Sequence, residues 1–305
     1  MENCIMPSSQ RRRKKSMWLA DKWKDFEVVD CSCGEKLERW GKYFLVRPDP
    51  QVIWKTEKKA REWKDPDALY RRSSSGGGSW QINKLPPSFQ ICYGKLKFNL
   101  KPMNFKHTGL FPEQAVNWDF SAKAIGGAGR KISVLNLFAY TGAASIACSA
   151  SGADVCHVDA SKGMVAWAKE NAFANGITNI RFIVDDCVKF VEREIRRGRR
   201  YDVVIMDPPS YGRGPGGEIW KLEDELYGLL TLCVNVLSDD PLFFMLNSYT
   251  TGLSAGCMQH MLGCTVGEKF GGRVEADEIG LPVGNGGLNL PCGSTAIWHR
   301  EEIQR

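Results

Sequence analysis

Apolar runs alternate with amphipathic stretches along the second part of the chain. Five runs, ISVLNLF, ADVCHVD, IRFIVD, YDVVIMD and PLFFMLNS, have the length and β-branched content of buried strands. The segments between them have helical spacing, and in one of them Ser161 suits an N-cap and Gly176 a helix end. Repetition of strand, helix and strand predicts a parallel, doubly wound sheet. Because the segment from Thr265 to Arg300 can supply two more strands, we expect an α/β, Rossmann-like sheet of seven mostly parallel strands.

The pattern differs in the first third of the chain. Short alternating runs such as FEVVDC, KYFLVRP and KLKFNLK are separated by turn residues, which is typical of β-hairpins. Residues 1–16 contain the basic run RRRKK with no apolar segment behind it, which predicts a disordered tail rather than a secretory signal. We therefore expect a basic tail over 1–16, a β-rich N-terminal region over 17–104 and the α/β domain over 105–305.

Charge is distributed unevenly along the chain. Residues 1–130 carry 25 basic and 14 acidic side chains, whereas residues 131–305 carry 16 and 21. A basic first part is expected where a protein meets a polyanion such as RNA, so the N-terminal region is a candidate substrate-binding arm. A solvated basic surface would give the same counts. Charge alone leaves both interpretations open.

Composition excludes several classes of protein. No apolar run approaches the ~18 residues of a membrane helix, so we expect no membrane contact. The 11 cysteines form no CxxC pair and no zinc spacing, which predicts free thiols, no metal site and a reducing, cytoplasmic location. His107 and His299 are isolated in the sequence, and neither needs a ligand role.

The carboxyl ends of the predicted strands hold the candidate site, because open α/β sheets bind ligands there. The first strand ends in NLFAYTGAAS, which contributes Asn136, Phe138, Tyr140, Thr141 and Gly142. A glycine in this turn allows the backbone to approach a ligand closely, and the helix that follows offers free N–H groups. Only one glycine lies in the turn, which argues against the GxGxxG nucleotide fingerprint.

Each of the next three strands ends in an acid. Asp159, at the end of the second strand, can accept both hydroxyls of a ribose. Asp186, at the end of the third strand, can accept from an adenine amine while the Cys187 N–H donates to the ring. Asp186 taken alone would be an ordinary helix cap. Three successive acids at strand ends nevertheless favour a nucleoside site, formed by Asp159, Ala160, Ser161, Asp186, Cys187 and Asp207.

Several motifs carry a resemblance to a known family. NLFAYTG, VDASKG, DDC and DPPSYG, with HTGLFPEQ ahead of the sheet, resemble class I S-adenosylmethionine-dependent methyltransferases. The chain is most similar to their ribosomal large-subunit methyltransferase I-like group, over about residues 105–254. The first part, through GEKLERWG and RPDPQ, resembles an uncharacterised bacterial branch with its own β-rich leader.

The resemblance implies S-adenosylmethionine as the cofactor and a role for individual residues. The methionine end would be held by Tyr140, Thr141, Gly142 and Gln114, the ribose by Asp159, and the adenine by Asp186 with Cys187.

The DPPSYG stretch contains the expected catalytic residues, Asp207, Pro208, Pro209 and Tyr211. Two prolines fix φ and form a rigid ledge, and the acceptors on that ledge can orient a nucleophile. Tyr211 can stack on a planar base. The glycine-rich loop over residues 212–220 is a candidate lid.

Two target atoms fit such a ledge. An exocyclic amine would be oriented by the acceptors, whereas methylation at C5 of a pyrimidine requires a cysteine thiolate. In family members thought to make 5-methylcytosine, a cysteine follows the fifth strand. Here the matching residue is Tyr249, which disfavours the C5 chemistry.

The sequence thus predicts a methyltransferase acting on a base of RNA, with ribosomal RNA as the first candidate. Three alternatives stay open: a methyltransferase for a small molecule, a nucleotide-dependent oxidoreductase, and a non-catalytic RNA-binding factor on the same scaffold. Monomer and homodimer are both compatible with the sequence.

Overall fold

The computed structural model describes residues 17–73, 77–103, 106–213, 219–284, 287–301 and 303. The predicted tail over 1–16 and the centre of the candidate lid, residues 214–218, lie outside this part of the chain. Within it, the predicted α/β fold is confirmed as one large sheet with helices, together with smaller sheets from the N-terminal region.

The main sheet contains the seven predicted strands and one more. Its members are β1 (Trp18–Leu19), β9 (Ser133–Leu137), β10 (Asp154–Asp159), β11 (Ile180–Val184), β12 (Val203–Met206), β15 (Phe243–Ser248), β16 (Arg273–Pro282) and β17 (Asn289–His299). The order across the sheet is β1-β16-β17-β15-β12-β9-β10-β11. Strands β9 to β12 and β15 run parallel, and β17 is antiparallel to both of its neighbours. The eighth strand, β1, comes from the N-terminal region.

Helices connect the parallel strands as the pattern predicted. They are α1 (Ala115–Gly127), α2 (Ala143–Ala150), α3 (Lys162–Ala174), α4 (Cys187–Arg196), α5 (Leu222–Val234), α6 (Ala255–Leu262) and α7 (Glu268–Phe270). Ser161 caps α3, because its side chain accepts from the N–H of Met164. Gly176 follows the end of α3 with φ +66°, which confirms it as a stop.

The two faces of the main sheet bury separate hydrophobic clusters. Along β12, Val203 and Ile205 pack in one cluster while Val204 and Met206 pack in the other, which is the alternation of a strand covered on both sides. Helices α1 and α2 contribute to the first cluster, and α4 and α5 contribute to the second. The sheet is therefore doubly wound.

The N-terminal region is rich in antiparallel hairpins, as predicted, with one parallel pair between β4 and β5, and it is joined to the main sheet. Its strands are β2 (Phe26–Ser32), β3 (Glu35–Trp40), β4 (Tyr43–Pro48), β5 (Ala68–Arg72), β6 (Gly78–Asn83), β7 (Phe89–Tyr93) and β8 (Leu96–Leu100). Strands β2 to β6 form one sheet, and β7 pairs with β8. The N–H of Asn99 donates to Asn171 on α3, and Trp167 donates back to the Asn99 carbonyl. Trp40 and Leu45 lie in the same cluster as Val134 of the main sheet.

No described helix is long and apolar enough to cross a membrane. The ten cysteines of the described residues are free thiols, as predicted. The same residues contain no group of three or more histidine, cysteine, aspartate or glutamate side chains that could hold a metal ion.

Candidate functional site

A cavity of about 500 Å³ lies at the carboxyl edge of the parallel strands. The strand-end residues meet there because parallel strands finish on the same side of the sheet. Of the residues predicted from the strand ends, the cavity is lined by Phe138, Tyr140, Asp159, Ala160, Ser161, Asp186, Cys187, Asp207, Pro208 and Pro209. The volume and the mixture of aromatic and acidic walls are those of a small-molecule site.

A second cavity, of about 60 Å³, adjoins the first and shares Phe138, Tyr140 and Asp207 with it. The remaining predicted cofactor residues, Gln114, Asn136, Thr141 and Gly142, line this smaller space. The structure therefore separates the residues expected at the methionine end from those expected at the ribose and adenine. We call the two spaces together the cofactor cavity.

Asp159 organises the turn after the first parallel strand. One carboxylate oxygen accepts from the N–H of Tyr140 and the other accepts from the N–H of Ser161, each at 2.8 Å. Burial raises the pKa of Asp159, while these two N–H groups lower it. Each carboxylate oxygen has a second lone pair, so the side chain can still accept from hydroxyl groups of a ligand.

Asp186 and Cys187 begin α4. The Asp186 side chain accepts from the N–H of Lys189 at 2.9 Å, so it is a helix cap that also lines the cavity. The Cys187 thiol accepts from the N–H of Phe138, and burial raises its pKa well above the usual range. This thiol therefore stays neutral near pH 7 and is no nucleophile. The preceding acid, Asp185, pairs with Arg193.

The turn after β9 has an unusual backbone. Phe138 and Tyr140 have φ of 53° and 51°, and Gly142 has φ of 87°. Non-glycine residues in this region are uncommon and tend to lie at functional sites. A Cβ at position 142 would come within 2.9 Å of the Ala168 Cβ on α3, so glycine here also permits the packing of α2 against α3. That contact was not visible in the sequence.

A buried polar network holds the turn Pro112–Gln114 against β15. The amide of Gln114 donates to the Tyr249 hydroxyl at 2.9 Å, and Asn117 donates to Gln114 at 2.9 Å. Thr141 also contributes, because its hydroxyl donates to the carbonyl of Gly109 at 2.6 Å. These bonds fix the segment before the sheet against two strand ends. Asn136 donates to Ser145 in the core below.

Asp207 lies where the two spaces of the cofactor cavity meet. Within the described residues no hydrogen bond reaches its carboxylate. Burial and the nearby carboxylate of Glu113 raise the pKa of Asp207 to about 7. A carboxyl group with this pKa can accept a proton at neutral pH, which an ordinary surface aspartate does poorly.

The chain after the ledge folds back as a short hairpin, β13 (Tyr211–Arg213) with β14 (Ile219–Lys221). Trp220 donates to the carbonyl of Pro209 at 2.7 Å and packs against the Phe138 ring. Tyr211 is 52% exposed and does not line the cavity, so its predicted stacking on a base stays a prediction.

Tyr249 is the residue that the sequence predicts at the position of a catalytic cysteine. Its pKa is raised well above the usual range by burial and by the acids Glu113 and Asp207. Cys257 and Cys264 are exposed on and just after α6 and lie away from the cavity lining. Among the described residues, Cys187 is the one thiol that lines the cavity. The structure thus brings no candidate nucleophilic cysteine to the ledge.

Sequence reasoning missed several lining residues, among them His107, Phe111 and Trp220, and it also missed Glu113, which lines an adjoining cavity and raises the pKa of Asp207. Three of them belong to the HTGLFPEQ motif, from which only Gln114 was selected. Trp220 carries no sequence signal, because its place depends on the hairpin that folds back over the ledge.

The chain is similar to known proteins over much of its length. A family model of S-adenosylmethionine-dependent methyltransferases matches residues 68–223. Ribosomal RNA large subunit methyltransferase K/L of Shewanella frigidimarina is 32% identical over 146 residues, which are 47% of this chain and 20% of that protein. The Shewanella pealeana protein of the same name is 36% identical over 123 residues, 39% of this chain and 16% of that protein. The chain thus spans about a fifth of the length of these relatives.

Solved structures extend the similarity to nearly the whole chain. The SAM-dependent methyltransferase from Agrobacterium tumefaciens is 35% identical, with a TM-score of 0.89 over 93% of each chain. A candidate methyltransferase, SMU.776, solved in complex with S-adenosylhomocysteine, is 19% identical, with a TM-score of 0.70 over 91% of this chain and 76% of that one. The second similarity supports the fold alone.

Proposed function

The chain belongs to the S-adenosylmethionine-dependent methyltransferase family, and we propose that it methylates a base of RNA, with ribosomal RNA as the first candidate. The observation that carries the proposal is the Asp207-Pro208-Pro209 ledge at the junction of the two spaces of the cofactor cavity. The names of the Shewanella relatives and the basic N-terminal region support RNA as the substrate. Free thiols fit a cytoplasmic location.

The residues of the cavity fit the cofactor. Asp159 can accept from ribose hydroxyls, and the first N–H groups of α4 together with Asp186 can pair with the edge of adenine. The polar side chains at the other end, Gln114, Thr141 and Asn136, suit an amino-acid group. When bound, the cofactor supplies a methyl group on a cationic sulfur, which the nearby acids favour electrostatically.

We assign the methylated atom as an exocyclic nitrogen rather than C5 of a pyrimidine. The C5 reaction needs a thiolate beside the base, whereas the described thiol that lines the cofactor cavity is the neutral, buried Cys187. An amine needs acceptors instead, and the Asp207 carboxylate and the Pro208 carbonyl supply them. Asp207 orients the amine and takes up the proton that the nitrogen loses as it becomes methylated.

The rate of methyl transfer should depend on pH through Asp207. The acceptor form is the carboxylate, and its pKa of about 7 means that this form increases as the pH rises. We expect the single-turnover rate to rise about tenfold per pH unit below about pH 7 and to level off above it. Rapid-quench measurements with saturating cofactor and RNA will check this. A rate that falls through the same range would contradict the assignment of Asp207 as acceptor.

The proposed function is tested by incubating the protein with methyl-labelled cofactor and separate RNA and small-molecule fractions. We expect label in RNA, and mass spectrometry of the digested nucleosides should identify an N-methylated base. Label recovered only in small molecules would contradict the RNA substrate, and a C5-methylated pyrimidine would contradict the nitrogen assignment. The variant Asp154→Asn, altered at the far end of β10, is the matched control.

A further inference from the structure

A third cavity, of about 150 Å³, lies beside the cofactor cavity and is lined by both the N-terminal region and the α/β domain. It shares His107, Phe111 and Tyr249 with the cofactor cavity. The rings of Phe111 and Tyr249 lie 5.3 Å apart and form a wall between the two. On the other side, strands β3 and β4 and the segment after them contribute Lys36, Arg47 and Asp49.

Two of the three acids at this third cavity, Glu38 and Asp49, are already paired, and the third is Glu113. Arg47 makes a bidentate pair with Glu38, at 2.6 and 2.9 Å. Lys36 lies 3.4 Å from Glu38 and 3.3 Å from Asp49. Glu38 and Asp49 therefore have cationic partners of their own, and burial raises the pKa of Glu113, which disfavours its charged form.

Lys106 is a third cation in the lining of this cavity, beside Lys36 and Arg47. Its ammonium makes no ion pair within the described part of the chain. The Arg47 guanidinium donates to the Lys106 carbonyl at 2.7 Å, so a buried ion pair positions this backbone. Burial and the charges of Lys36 and Arg47 lower the pKa of Lys106 to about 8, while His107, with a pKa near 4, is neutral. An ammonium held among other cations is stabilised by an anion.

The positive potential extends outward from this cavity. Arg72, exposed at the end of β5, is close enough to lower the pKa of both Lys106 and His107. Met103 links the same hairpin to the cofactor cavity, because its carbonyl accepts from Trp80 at 2.7 Å and its sulfur lies 4.0 Å from the Tyr140 hydroxyl. Arg72 thus adds positive charge to the surroundings of Lys106.

We propose that Lys106 in the third cavity binds a phosphate of the RNA next to the target base, and that Arg72 contacts a phosphate farther along the strand. This inference rests on the proposed function and identifies the substrate as a polyanion. A phosphate at Lys106 lies one aromatic wall away from the ledge, as expected for the backbone of a nucleotide whose base enters the cofactor cavity. Phosphate contacts set position, and the ledge then selects the amine.

The test is a salt series with a fluorescent single-stranded RNA of mixed sequence and the full chain. Each phosphate neutralised contributes about 0.7 to the slope of log affinity against log salt for a single strand. We expect Lys106→Gln and Arg72→Gln each to lower that slope by about 0.7, whereas Lys106→Arg keeps it. Lys131→Gln is the matched control, because Lys131 pairs with Asp154 at the amino-terminal end of β10, away from the carboxyl ends of the strands that hold the cavities.

Cofactor binding, measured by calorimetry on each variant, reports whether the variant is folded. The proposal is overturned if Lys106→Gln binds the cofactor normally and keeps the native slope, or if the control loses as much slope as Lys106→Gln. It is also overturned if a nucleoside monophosphate binds in a Lys106-dependent way but RNA does not bind. Absence of RNA binding by the native chain with intact cofactor binding would contradict the RNA substrate but leave the family assignment unaffected.

Discussion

Replacing Asp207 with asparagine is expected to slow methyl transfer by about 10²–10⁴-fold, the range that one positioned proton acceptor contributes. Asparagine keeps the size and one acceptor oxygen but cannot take up the proton. Cofactor affinity should change much less, because Asp159 and Asp186 are the residues proposed to hold the ribose and the adenine. Single-turnover rates and calorimetry on the same preparation will separate the two effects. Wild-type rates in Asp207→Asn would remove Asp207 from the mechanism.

The same variant should unfold less readily than the native chain at neutral pH. The pKa of Asp207 is about 7 in the folded protein and near 3.8 in an unfolded chain, so ionisation destabilises the fold progressively from about pH 4 to pH 7. One pKa unit corresponds to about 1.4 kcal/mol, so even a third of this shift amounts to ~1–2 kcal/mol. Urea unfolding should show Asp207→Asn more stable by that amount at about pH 8 and equal to the native chain near pH 4. Equal stability at both pH values would mean that the native carboxylate is well solvated.

Replacing Asp159 with alanine is expected to weaken cofactor binding by about 2–3 kcal/mol, or about 30–150-fold. The substitution removes a charged acceptor and also frees the N–H groups of Tyr140 and Ser161. Titration calorimetry measures the loss directly. Asp154→Ala makes the same substitution at an exposed position at the other end of the same strand. This control variant should bind the cofactor normally.

The variant Asp159→Asn distinguishes the two contributions of Asp159. The asparagine oxygen can still accept a hydrogen bond from one of the two N–H groups. The turn after β9 should therefore keep its conformation better in Asp159→Asn than in Asp159→Ala. If both variants bind the cofactor like the native chain, the ribose assignment is wrong. If Asp159→Asn binds like Asp159→Ala, the charge rather than the turn accounts for the loss.

Residues adjacent along the chain were the predictable part of this site. Asp159, Asp186 and Asp207 each follow an apolar run, and the rule that parallel strands end together is enough to gather them. The seven strands were predictable for the same reason, since each has its own periodicity. Strand β1 was missed because two residues are too short to show any pattern.

Contacts between distant segments were not predictable. Gln114 and Tyr249 are 135 positions apart, and nothing local indicates that a glutamine amide and a tyrosine hydroxyl will meet. The third cavity draws on β3, β4 and the segment at Lys106, and its charge depends on which acids are already paired. The net charge of the N-terminal region suggested that it binds a polyanion, but only the folded chain identifies Lys106 as a cation without an ion pair among the described residues.

The shared core of the N-terminal region and the main sheet has a thermodynamic consequence. Trp40 and Leu45 pack in one cluster with Val134 and Phe243, and β1 hydrogen-bonds to β16. The two parts are therefore expected to melt in a single cooperative transition, so any ligand that binds only the folded state raises one common midpoint. Bound cofactor would then slow the hydrogen exchange of β3 and β4 that occurs by global unfolding. It would do so although the cofactor cavity lies on the other side of the wall formed by Phe111 and Tyr249. Occupancy of one site is thus linked to the integrity of the other without any change of shape.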